Sequence, residues 1–197
     1  MDSFEYLITL VSVIAGLGIT RALSGIARLF DTRRNISFSW IPICWTFNVL
    51  LWLIAFWWFT FLLSSFEGWS PWLHVFVLFY AGVIFFLLAL LHPESLEEGH
   101  DMLGHFLDNR KMFFGTLLVL ALIDVADTSI KIRIGLPTPP LMQYSALILP
   151  WIIMSTLALF FRNRKFHALF ALVFLALIAF WLSSNIAGIL AIVAGDA

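Results

Sequence analysis

The chain has 197 residues, of which 62% are apolar and only 12% charged, with a mean hydropathy of +1.00. That charged fraction is about half the soluble-domain norm, and several apolar runs approach the ~20 residues that cross a bilayer, so a water-soluble globular domain is excluded. The net charge of -1, with no basic run beyond RNRK at 162–165, gives no basis for a nucleic-acid partner, and the single cysteine, Cys44, excludes an intramolecular disulfide framework. The expectation is an all-α protein: a polytopic transmembrane helical bundle occupying 1–197 as one integral membrane domain.

Span 1 covers about 4–30. Asp2 and Glu5 stand where a cleavable signal would carry positive charge, and the apolar stretch is too long for a signal core, so a retained span is expected. Ser12, Gly16, Thr20 and Ser24 recur every four residues, with Gly18, Ala22 and Gly25 beside them. Small residues at this spacing let neighbouring helices approach closely, which predicts a place for span 1 at the centre of the bundle. Arg21 lies on the same broad side, roughly 10 Å inside the hydrocarbon edge.

Span 2, about 40–66, is rich in tryptophan and is expected to face lipid or a sister subunit. Span 3 covers about 71–92, with Pro71 suited to a first helical turn. The polar stretch 93–109 places Leu96, Leu103, Phe106 and Leu107 on one side, which predicts a short amphipathic helix at the cytoplasmic surface between spans 3 and 4. Span 4 runs over about 111–130, span 5 over about 141–161 with Pro150 expected to bend it, and span 6 over about 166–194. Ser183, Ser184, Asn185 and Gly188 mark a kink in span 6 or a break into two pieces, the kink being preferred. Six spans also allow an inverted three-plus-three repeat, although simple pairwise packing is the better expectation.

With six spans, Arg28, Arg33, Arg34, Arg110, Lys111, Arg162, Arg164 and Lys165 reach one face and only Lys131 and Arg133 reach the other. The positive-inside rule then places both termini outside the cytoplasm, in a cell membrane of the bacterial inner type.

Asp124, Asp127, Thr128 and Lys131 share one face of span 4 in its outer half. Two carboxylates at such depth require water, a partner or a proton. Lys131 can pair with Asp127 from four residues away, and Glu5 enters at a similar level from span 1. Arg21 and Asn48 come to similar depths in the inner half, and Thr20 extends the polar marks there towards Asp124. Glu97, His100, Asp101 and His105 are weak candidates for a surface metal site, since no fixed ligand motif accompanies them. His92 and His167 close and open spans at the same boundary and invite a haem, but no cofactor is expected.

No P-loop, dinucleotide fingerprint or nucleophile elbow is present, so an enzyme is the lesser expectation. The leading one is a small ion channel or ion-coupled transporter for a cation or protons, embedded in lipid and assembled as a homo-oligomer. Asp124, Asp127, Glu5, Lys131, Arg21, Asn48 and Thr20 would line its pathway. The alternative is a non-transporting membrane subunit or sensor that binds a protein or lipid. A lipid-acting membrane enzyme stands third.

Overall fold

A computed structural model describes residues 3–29, 37–64, 66–92, 101–136 and 138–194, with side chains as far as Asn185. The described residues form seven α-helices: α1 (Ser3–Leu29), α2 (Trp40–Thr60), α3 (Pro71–Leu91), α4 (Met102–Asp108), α5 (Arg110–Arg133), α6 (Leu141–Phe160) and α7 (Arg164–Ala194). All but α4 are long and apolar enough to cross a membrane. Their outward surfaces carry Leu17, Leu23, Leu122, Ile153 and Phe180, each more than half exposed, as lipid-facing positions would be.

Local chemistry sets the helix ends. Ser70 Oγ accepts from the Leu73 N–H at 3.3 Å and Pro71 opens α3, where its missing N–H costs nothing. At the end of α5, Gly135 takes a φ of 75°. There the Leu136 N–H reaches Lys131 O at 2.9 Å and the Gly135 N–H reaches Ile132 O at 3.2 Å, which closes the helix with a left-handed glycine cap. Asn163 Oδ1 accepts from the Lys165 N–H and starts α7. That helix stays continuous past the polar marks, because Ser183 and Ser184 donate to Phe180 O and Asn185 donates to Trp181 O.

Helices α2, α3, α5, α6 and α7 pack in that order into a ring, with α7 returning to α2. Among the described residues, aromatic rings pack across its waist. Trp45 of α2 lies 4.9–5.5 Å from Phe113, Phe114, Phe170 and Phe174, and Trp52 lies 4.6 Å from Trp151. Trp151 in turn meets Phe174 at 5.2 Å and donates to Leu117 O at 3.2 Å. These contacts, edge-to-face except for the tilted Trp45–Phe174 pair, fill the interior with rings contributed by four of the five helices.

Two expectations are corrected here. The tryptophan-rich α2 does not chiefly face lipid: it is central, and Trp45 and Trp52 are buried. Conversely α1 is peripheral, packed outside the ring on α2 and α3. Its Phe4, Leu7, Val11, Ala15, Gly18, Ala22 and Gly25 edge is buried, whereas Ser12, Gly16 and Thr20 are exposed. An inverted repeat is not evident either. Helix α1 packs extensively on α3, and the corresponding pair, α5 and α7, forms no comparable contact among the described residues.

A short helix between α3 and α5 is present as α4, seven residues long; Leu96 and the rest of 93–100 lie outside the described residues. It buries Met102 and Phe106, whose ring stacks edge-on against Phe113, Phe114 and His167. An Arg162–Asp108 ion pair ties it to the start of α7.

At the same end of the bundle, α1, α2 and α3 are clasped by one imidazole. Thr46 Oγ1 donates to Pro42 O, so His92 Nε2 supplies the proton for their 2.9 Å contact. The other side of the ring fills the space that the absent side chain of Gly25 leaves on α1. Burial, reinforced by the Arg21 and Arg28 guanidiniums, lowers the His92 pKa from 6.5 to about 4. Protonation is therefore easier in the unfolded chain, and stability rises with pH between those two values. Thermal midpoints in detergent should fall as pH drops from 6.5 towards 4, and His92→Gln should flatten that slope.

Candidate functional site

Towards the α5–α6 turn the ring opens into a cavity of about 50 Å³, room for a few waters. All five ring helices contribute to its wall, through Trp52 and Phe56, Tyr80, Asp124, Tyr144 and Trp181. Thr138 and Pro139 of the turn edge its mouth.

Asp124 lies at its foot, nine residues from the end of α5 and hence about 14 Å down that helix. The residue is 9% exposed, and its carboxylate accepts two hydroxyl hydrogen bonds, from Tyr80 to Oδ1 at 2.7 Å and from Tyr144 to Oδ2 at 3.0 Å. Tyr80 Oη itself accepts from Trp52 Nε1 at 3.1 Å, so a relay of donors runs from α2 through α3 to α5. Both carboxylate oxygens retain lone-pair capacity, which leaves the group able to bind a proton, water or cation. One turn nearer the mouth, Asp127 holds Lys131 Nζ at 2.6 Å and neutralises it locally. With Asp124 ionised, the formal charge of the three groups is -1. A cation fits that charge and an anion does not.

Three of the expected residues, Asp124, Asp127 and Lys131, are thus brought together. Glu5 is not among the cavity-lining residues: it is exposed on α1, outside the ring. Asn48 is not presented to Arg21; its Nδ2 donates to Ala171 O at 3.0 Å and joins α2 to α7. Arg21 sits beside His92 at the opposite end of the bundle. Thr20 is exposed and donates to Gly16 O of its own helix. No polar file joins the two ends along these groups, since Ser12 accepts from Trp57 and Thr46 is engaged with Pro42 and His92.

The weak metal candidates divide similarly. Asp101 caps α4 by accepting from the Leu103 N–H at 3.1 Å, and His105 faces a small cleft beside His92. Glu97 and His100 lie outside the described residues, and no metal-binding group of three or more His, Cys, Asp or Glu exists among the described ones. His92 and His167 are each committed to a different hydrogen bond, to Thr46 and to Phe161 O.

Tyr80 and Tyr144 were not anticipated. A depth rule points to the first, because Tyr80 is nine residues into α3 and Asp124 nine residues from the end of α5, measured from the same face. Tyr80→Phe would remove the shorter bond to Asp124 and strand the Trp52 N–H. It should cost about 1–3 kcal/mol of stability in a thermal or denaturant unfolding assay. Tyr144→Phe, at a half-buried site, should cost less.

The chain matches no protein-family model, no curated protein and no solved structure.

Proposed function

We propose that this membrane protein is an ion-coupled transporter for a monovalent cation or protons, with Asp124 as the binding carboxylate. The observation that carries this reading is a buried carboxylate, set by two tyrosine hydroxyls, at the foot of a cavity whose far side is filled with aromatic rings. A permanently open channel would need a continuous polar path. The packed waist of Trp45, Trp52, Trp151 and Phe174 favours a site exposed to one side at a time instead. On the orientation expected from the basic residues, the cavity mouth faces away from the cytoplasm.

The test is uptake into proteoliposomes under imposed gradients of protons, sodium, potassium or ammonium, with insertion of each variant checked first. Saturable, selective uptake that depends on Asp124 supports the reading. Absence of uptake above empty liposomes for every ion overturns it and moves a non-transporting partner-binding role ahead.

A further inference from the structure

The walls of the cavity say more about the cation than its charge does. Hard metal ions take six or more oxygen ligands, or keep much of their water. Here the carboxylates share the wall with the faces and edges of Trp52, Phe56, Phe59, Tyr80, Tyr144 and Trp181. Aromatic faces attract weakly hydrated organic cations, and the carboxylate accepts from their N–H groups. The protein contains its own example: the Lys131 side chain, an alkylammonium, enters this cavity and places Nζ 2.6 Å from Asp127.

A second space adjoins the first. It holds about 420 Å³ between α6 and α7, which among the described residues pack more sparsely than the other neighbours around the ring. Its surface is almost wholly apolar and opens on the lipid side, where Ala146 and Phe180 are exposed, and it shares Leu147 and Trp181 with the carboxylate cavity. Trp181 Nε1 is buried there without a hydrogen-bond partner. A polar chamber and an apolar groove thus meet at two side chains.

From this geometry we infer that the ligand is a primary alkylammonium, its head on Asp124 and its hydrocarbon tail in the α6–α7 groove. The inference rests on the cation-site reading above and specifies its substrate class. The ammonium head is close to water in size and suits the small chamber. The tail leaves through the Leu147–Trp181 boundary into the groove. A fully aqueous cation makes no use of that groove.

The test is calorimetric titration of the full chain in lipid nanodiscs with hexylammonium, methylammonium and hexan-1-ol, after subtraction of partitioning into empty discs. Hexylammonium should bind saturably and about tenfold or more tighter than methylammonium, because several methylenes leave water. Hexan-1-ol should not saturate. Ala146→Trp, which fills the groove, should bring hexylammonium to the methylammonium level and leave methylammonium unchanged. Equal affinity for the two amines, or saturable binding of the alcohol at the same site, overturns the inference. So does the absence of amine binding. If amines fail while uptake of an inorganic cation still requires Asp124, only the substrate class is wrong. If uptake does not depend on Asp124, the underlying reading falls as well.

Discussion

Asp124→Asn should lower cation uptake, the proposed activity, by about ten- to hundredfold or more while the protein still inserts and folds. The amide matches the carboxylate in shape, so the packing of α5 against α3 and α6 is preserved. Its single oxygen can accept from Tyr80 or Tyr144 but not hold both at 2.7 and 3.0 Å, since the amide nitrogen is a donor. More important is the lost charge. A hydrogen bond to an ionised group contributes about 1.5–3 kcal/mol, and the attraction is stronger where aromatic walls exclude water. At 1.4 kcal/mol per factor of ten, that range spans roughly ten- to hundredfold before any effect on the transport cycle. Glu5→Gln is the matched control, because Glu5 lies outside the ring and should leave uptake unchanged. Uptake assayed side by side for the two variants separates a local carboxylate site from a general dependence on negative charge.

The largest structural effect is expected at Gly25, at the other end of the molecule. A Cβ there would fall inside the His92 imidazole, which cannot swing aside without breaking its 2.9 Å contact with Thr46. Overpacking and a lost buried hydrogen bond together should cost about 3 kcal/mol or more in Gly25→Ala. Two glycines of the same helix calibrate this. At Gly18 the added carbon would meet the tips of Leu53 and Leu88 at 3.2 Å and the Phe85 ring at 4.0 Å, and at Gly16 it would meet nothing within 4 Å. Thermal unfolding in one detergent should rank the alanine variants Gly25 far below Gly18, and Gly18 below Gly16. Gly16→Ala should lie close to the unsubstituted protein. Equal midpoints for all three would mean that the His92 clasp does not hold α1 in place.

The six membrane-crossing helices were legible because length and apolarity are one-dimensional properties, and Pro71 carries its own chemistry for a first helical turn. The Asp127–Lys131 pair was legible for the same reason, since four residues along a helix fix a neighbour. Lateral order was not. In lipid, an outward tryptophan costs no more than an inward one, so the aromatic character of α2 did not distinguish core from periphery. Helix α1 offered two small-residue edges, and only the one with Gly18, Ala22 and Gly25 is packed. Glu5 lies two residues into α1, nearer its helix end than Asp124 does in α5, and its helix packs on α2 and α3 outside the ring. Tyr80 had matching depth and was overlooked because a tyrosine in an apolar run reads as core until the carboxylate opposite it is known. Asn48 read as a partner for arginine and instead ties α2 to α7, a pairing between residues 123 positions apart that no local pattern encodes.

One-sided access to the carboxylate cavity is the centre of this account, and labelling of Thr128→Cys measures it most directly. Thr128 lines the cavity beside Asp124 and Asp127, and Cys44→Ser removes the one native thiol. A membrane-impermeant maleimide should modify the new thiol when added to the face away from the cytoplasm. It should fail from the cytoplasmic face, where the rings of Trp45, Trp52 and Trp151 intervene. Labelling from the cytoplasmic side alone would contradict the orientation, and labelling at equal rates from both sides would contradict the closed waist.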